Sequence, residues 1–457
     1  MGLDAPVIAH ALVPARSRYP HVSAPEPSLV SRSLSAVWHP CTQMQWHADR
    51  SLPLLAIARA QGAWLYAPDG SRYLDGISSW WTNLFGHSHP AIVQAVRDQL
   101  DTLDHVMLAG FTHEPVVALS ERLSALTGGR LGHAFYASDG ASATEIALKM
   151  SLHYWRNAGQ ADKNEFICFA GSYHGETVGA LAVTDVALFR DAYAPMVRGA
   201  HVLPSPAAGG AAALSALDGH LALHHGRIAA LIVEPRVQCA GGMAMHDAAW
   251  LRDARRLCDR YAVHLIADEI AVGCGRTGTF FACEQSLDAD GGGWPDFICL
   301  SKGITGGTLP LSLVLSAPAV FDAFLDDTMA RGFLHSHSYT GNPLACRAAL
   351  ATLELFDKLD VLQRNRVWAQ HFTDALAPLA THPAARNFRQ AGMIWALDID
   401  AGHEDFSRRF YREALARELL LRPIGNTLYF MPPYVLDDAQ TALLARGALQ
   451  ALDAALA

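Results

Sequence analysis

Between about residues 130 and 316, short apolar runs alternate with amphipathic helical patterns, and this alternation constrains the fold more than any other feature. The runs LGHAFYA, EFICFA, RIAALIVEP, VHLIADE, FICLSK and LSLVLS read as strands covered on both faces. Between them, GASATEIALKMSLHYW and HDAAWLRDARRLCDRY carry apolar residues at three-to-four spacing, as amphipathic helices do. Such alternation predicts an α/β fold: a mainly parallel sheet with helices on both sides. After Gly341-Asn342-Pro343 come long helices, the extended stretch TLYFMPPYVL and the closing helix DDAQTALLARGALQALDAAL, a second and smaller α+β unit. The Ala/Gly-rich stretch at 204–219 reads as a surface excursion. Residues 1–75 show few helical signals and read as a segment joining the smaller unit. The expected division is thus 1–75, a large domain over 76–345, and a small domain over 346–457.

At 457 residues, with 51% hydrophobic residues, 17% charged residues and a net charge of −9, the chain is neither disordered nor a coiled coil. It has no basic surplus for nucleic acid or an anionic membrane surface, so neither is an expected partner. No apolar run reaches the roughly eighteen residues of a membrane helix. The opening apolar patch is broken by Pro6 and Pro14 and follows no basic stretch, unlike a secretory signal. The eight cysteines include no C-x-x-C pair, and several lie in apolar runs, as reduced core thiols of a cytoplasmic protein do. His87-Ser88-His89 and His335-Ser336-His337 lack helical ligand spacing and an adjacent carboxylate, so no metal is expected.

Only four of the 35 basic residues are lysines. Lys149 lies in an amphipathic helix, Lys163 in the polar turn GQADKNE, and Lys358 near a helix end; each has a surface reading. Lys302 directly follows the apolar run FICL and begins S-K-G-I-T-G-G. At a buried strand's carboxyl end it would be desolvated, with a lowered pKa and a nucleophilic amine. Taken alone, it also fits a salt-bridged strand-end lysine. Asp268 ends the strand VHLIAD and points toward the crevice where α/β sheets bind ligands, though a lone aspartate there also fits a helix cap. The loop Gly273-x-Gly275-x-x-Gly278 mimics a dinucleotide fingerprint, but Arg276 stands where phosphate would approach. Ser138-Asp139-Gly140-Ala141-Ser142 opens a helix with free amides suited to phosphate. Gly171-Ser172-Tyr173-His174-Gly175 offers a ring for stacking on a flat ligand. Amine, carboxylate, phosphate cradle and stacking ring together match pyridoxal 5′-phosphate.

These motifs resemble those of the class III aminotransferases, a subgroup of fold-type I pyridoxal-phosphate enzymes, over about 36–446. The most specific stretch is LIADEIAVGCGRTGTFFACE…PDFICLSKGITGG, supported by EPRVQCAGGM and HSYTGNPLAC. Within the class, VWHPCTQM, DGISSWWTNLFGHSHP, GSYHGET and LRPIGNTLYFMPPY resemble the adenosylmethionine–8-amino-7-oxononanoate aminotransferase family of biotin synthesis. The resemblance implies that Lys302 holds the cofactor aldehyde and shuttles the proton, and that Asp268 holds the pyridinium proton. Gly140 and Ala141 would cradle the phosphate, with His337 and Ser338 reaching it from the partner subunit of a homodimer. Tyr173 would cover one cofactor face and Ile270 the other. On the substrate side it implicates Trp80, Tyr173, Lys302, Ser336 and Arg422. Trp80-Trp81 also fits plain core packing, and Arg422 an interface ion pair.

Two departures stand out. Cys41 occupies a position where many members of the family carry tyrosine, and Ala141 brings no hydroxyl to the cradle. The implied activity moves an amino group from S-adenosylmethionine, or lysine in some relatives, to 8-amino-7-oxononanoate. The competing readings are another class III ω-amine aminotransferase and a pyridoxal-phosphate protein that does not transaminate.

Overall fold

The computed structural model describes residues 28–457, and the patch broken by Pro6 and Pro14 lies outside them. The described residues fall into two compact units, one ending at Ala56 and the other running from Ile57 to Ala457. In the first, the helix Leu29–Ala36 is capped by Ser28, whose hydroxyl accepts from Ser31 N at 3.1 Å. The short helix Met44–Ala48 follows, with His47 Nδ1 2.7 Å from Leu52 O.

The second unit begins with β1 (Arg59–Gln61), β2 (Trp64–Tyr66) and β3 (Arg72–Asp75). Next come β4 (His133–Ala137), β5 (Glu165–Phe169), β6 (His201–Leu203) and β7 (Ile228–Val233). A two-residue hairpin, β8 (Val237–Gln238) and β9 (Ala244–Met245), precedes β10 (His264–Asp268), β11 (Phe297–Leu300) and β12 (Ser312–Ser316). The chain closes with β13 (Ala385–Ala391), β14 (Ile394–Ile399), β15 (Leu419–Leu420) and β16 (Thr427–Phe430).

The central sheet has seven strands in the order β4-β12-β11-β10-β7-β5-β6, parallel except for β12, which runs against both neighbours. β7, β10, β11 and β12 are buried at every residue, as their unbroken apolar runs require. The helices Gly140–Asn157 and Ala248–Arg260 form where their periodicity places them.

Three expectations need correction, and one strand gave no signal in the sequence. The seventh strand, β6, is only His-Val-Leu, too short to show a period. The Ala/Gly stretch is largely the helix Gly210–His224, which buries Ala213, Leu217 and Leu221 at four-residue spacing. β13 and β14 form an antiparallel hairpin between the long helices of the last third. Lys163 is buried rather than on a surface turn: its amine donates to His225 O at 2.7 Å and lies 4.4 Å from the Trp155 ring centroid. Burial lowers its pKa to about 8.

Two smaller sheets complete the unit. β1-β2-β3 is extended by β15, which pairs with β3 in parallel, so chain from before residue 76 and after residue 415 shares one sheet. β13-β14-β16 packs Trp395, Phe372 and Phe430 into a second core.

Candidate active site

Five strands of the central sheet deliver side chains to one cavity at their carboxyl ends, where α/β sheets bind ligands. Beyond β11, the Ser301 hydroxyl donates to Leu311 O at 2.9 Å, and Lys302 opens a tight turn at φ 47°. Held in that left-handed region, a residue with a Cβ stores roughly 1–3 kcal/mol of strain, a recurrent property of functional positions. The cavity, about 330 Å³, is lined by Lys302, Asp268, Ile270, Gly140, Ala141 and Tyr173, together with Trp81, His174 and Glu234. The sequence-stated core of the site thus comes together in space.

Asp268, 3% exposed, accepts from Ile270 N at 3.1 Å and lies 2.6 Å from His174 Nδ1. Enclosure lowers the Lys302 pKa, with Asp268 pulling the other way, so its amine is more nucleophilic than a surface lysine. Glu234 follows β7 and accepts from Tyr173 N at 3.1 Å and Cys239 N at 2.9 Å. Burial pushes its carboxyl up to about 7, with nearby His174 opposing. The Tyr173 hydroxyl donates to Glu176 Oε1 at 2.8 Å.

The arrangement fits a flat, anionic cofactor that carries an aldehyde. Gly140 and Ala141 open an 18-residue helix, so their amides have no intrahelical acceptor, whereas Ser142 N donates to the Asp139 cap at 2.9 Å. A Cβ on Gly140 would lie 2.9 Å from Ile270 Cγ2, and one on Gly175 2.8 Å from Ala141 Cα; both glycines keep the cradle open. His174 Nε2 is buried and has no hydrogen-bond partner among the described residues.

Trp80 and Trp81 belong to one left-handed turn, Ser78–Trp81. The Trp81 ring centroid is 5.4 Å from Lys302 Nζ, and its Nε1 donates to Tyr429 OH at 3.1 Å. Trp80 is 45% exposed, with the Arg422 guanidinium 5.8 Å from its ring centroid. Ser336, His337 and Ser338 do not line the cavity of their own chain: the two serines are exposed, and His337 Nε2 sits 2.9 Å from Ser138 Oγ. Arg276 is buried and donates to Pro432 O at 2.7 Å and Asn83 O at 3.1 Å, so the glycine-rich loop around it braces the fold.

Two members of the site went unassigned in the sequence. Glu234 carried the same signal as Asp268, a carboxylate directly after an apolar run in RIAALIVEP. His174 carried none, because its contact with Asp268 spans 94 residues.

Comparison with known proteins agrees with this geometry. Residues 46–452 match the family Aminotransferase class-III. The adenosylmethionine-8-amino-7-oxononanoate aminotransferase of Helicobacter pylori is 41% identical over 435 residues, spanning 93% of this chain and 98% of that protein. A crystal structure of the enzyme of the same name from Methanocaldococcus jannaschii superposes with a TM-score of 0.88 at 31% identity, covering 93% of this chain and 98% of that one. An amine transaminase from an uncultivated Pseudomonas species, solved with pyridoxal phosphate bound, gives 0.83 at 30% identity, covering 92% and 98%. With its seven-stranded sheet and its lysine–aspartate cavity, the chain belongs to the class III aminotransferases, pyridoxal 5′-phosphate enzymes of fold type I.

Proposed function

We propose that this chain transaminates 8-amino-7-oxononanoate to 7,8-diaminononanoate, a step of biotin synthesis, with S-adenosylmethionine as the amino donor. The observation that carries this is the adjacency of two pairs, Trp81 with Lys302 and Trp80 with Arg422. An acceptor with its keto group near one end and a carboxylate at the other needs an amine site, an apolar wall and a cationic anchor in that order. Relatives of 36–41% identity that share the name of this enzyme support the same substrates.

Pyridoxal 5′-phosphate, when bound, supplies an aldehyde that exchanges amines and a ring that withdraws electrons. Lys302 Nζ would hold the aldehyde and, once displaced by the donor amine, take the proton from the donor α-carbon. Asp268, oriented by His174, would keep the ring nitrogen protonated. Tyr173 and Ile270 would flank the ring, and the Gly140 and Ala141 amides would bind the phosphate. Arg422 would anchor the acceptor carboxylate, with Trp80, Tyr173 and Ser336 along its chain.

The proposal includes a homodimer, with His337 and Ser338 of the partner subunit completing the phosphate site. A groove bordered by Leu108, Phe111, Val116 and Val117, with Phe111 and Val117 exposed, supports an apolar contact surface. Seven buried cysteine thiols support a cytoplasmic location. The pairing of β3 with β15 supports the division into 1–75, 76–345 and 346–457, with the first segment joining the last. Among the described residues no helix is long and apolar enough to cross a membrane.

Purified enzyme incubated with 8-amino-7-oxononanoate and S-adenosylmethionine should form diaminononanoate. No product with either S-adenosylmethionine or lysine would move the assignment to a different ω-amine acceptor.

A further inference from the structure

Asp75, at the end of β3, is fully buried and does not line the cavity. All of its acceptor capacity is spent on one short stretch of chain. Oδ1 accepts from Ser79 N at 2.9 Å and Ile77 N at 3.3 Å. Oδ2 accepts from the Ser79 hydroxyl at 2.7 Å and lies 2.9 Å from His87 Nε2. His87 is itself fixed by its backbone, donating to Gly62 O at 2.7 Å and accepting from Gly62 N at 3.0 Å.

The stretch gathered by this carboxylate has an unusual backbone. Ser78, Ser79, Trp80 and Trp81 have φ of 52°, 46°, 72° and 72°, four consecutive left-handed residues without a glycine. Residues with a Cβ resist that region, and runs of them persist only where the surroundings over-determine them. In a helical turn of either hand, consecutive side chains diverge by roughly 100°. One left-handed turn therefore sends Trp81 to the Lys302 amine and Trp80 to the Arg422 guanidinium, at 5.4 and 5.8 Å. A right-handed or extended run would direct the two rings elsewhere.

We infer that Asp75 is a positioning residue for acceptor recognition, holding the left-handed turn that sets Trp80 against Arg422 and Trp81 against Lys302. The inference rests on the proposed role of Trp80 and Arg422 in binding the acceptor chain. A carboxylate serving only to stabilise the core would predict lower stability with an unchanged acceptor KM.

The test uses the holoenzyme and five variants: Asp75→Ala, Asp75→Asn, Ser79→Ala, Trp80→Ala and the double variant Asp75→Ala/Trp80→Ala. Asp75→Ala should raise the KM for 8-amino-7-oxononanoate at least about tenfold, with kcat held within about threefold. Trp80→Ala should do the same, and the double variant should be no worse than the more affected single one, because both act through one ring. Nonanoate, a carboxylate on an apolar chain, gives a readout independent of turnover: its quenching of tryptophan emission should need about tenfold more ligand in Asp75→Ala. If Asp75→Ala does not fold, Asp75→Asn and Ser79→Ala decide, each expected to raise the acceptor KM about threefold or more. Unchanged KM and unchanged nonanoate affinity in the folded variants, or effects that multiply in the double variant, overturn the inference. Asp75-dependent nonanoate binding without oxononanoate turnover would sink the proposed reaction alone. Turnover with an Asp75-independent KM would sink the positioning role alone.

Discussion

Lys302 shows how far a single residue can be read. It is one of only four lysines, and it stands at the end of an apolar strand. Lys302→Ala should lose turnover by roughly 10²–10⁴-fold or more, since the proton transfer has no other base of its kind in the cavity. Borohydride reduction followed by peptide mapping should place the cofactor on Lys302, and a label on Lys149, Lys163 or Lys358 would refute the assignment. Lys163 was not readable in this way. Its burial depends on Trp155 and on a carbonyl 62 residues away, so the polar turn GQADKNE looked exposed. Glu269 gives a second test at this scale. Fully buried, it accepts from Ala282 N and Cys283 N, both at 2.7 Å, and burial raises its carboxyl from 4.5 to about 7. Between those values the folded protein holds a proton that the unfolded chain has released. Stability from this group is therefore full below about 4.5 and falls as pH rises toward 7, by roughly 3 kcal/mol. Urea midpoints of the wild type should fall relative to those of Glu269→Gln over that range, whereas parallel curves would contradict the shift.

At the scale of elements, what was legible follows from burial. β7, β10, β11 and β12 are covered on both faces, so their central residues are apolar, and the first three end at or just before Glu234, Asp268 and Lys302. β6 is an edge strand of three residues, and β13 alternates exposure irregularly through a register shift at Arg386 and Arg389, so neither shows a clean period. The helix Gly210–His224 was obscured by alanine, which packs against a core or faces solvent with equal ease. The helix Gly140–Asn157 was plain, and its first residue carries a prediction. Gly140→Ala would place a methyl group 2.9 Å from Ile270 Cγ2. Relieving such overpacking costs about 1–3 kcal/mol, here by moving Ile270 or the helix start. Cofactor retention on dialysis should weaken about tenfold with secondary structure unchanged, and undiminished retention would remove the cradle role from this turn.

At the scale of the molecule, the question is which chain completes the phosphate site. The segment Ser336–Ser338 does not line the cavity of its own chain, yet His337 contacts Ser138, one residue before the Asp139 cap. A twofold dimer allows the segment to serve the neighbouring cavity, because each contribution is then returned by symmetry. Complementation separates the two arrangements. One parent carries Lys302→Ala; the other carries His337→Ala with Ser338→Ala. If the segment acts across the interface, a mixed dimer has one site with both defects and one with neither. Random reassociation makes half of the dimers mixed, with one of two sites intact, so about a quarter of wild-type activity should reappear from weakly active parents. If the segment serves its own chain, every site in a mixed dimer keeps one defect and activity stays at the parental average. Sedimentation of the same mixtures should show a dimer throughout, and a monomer that retains full turnover would exclude a shared site altogether.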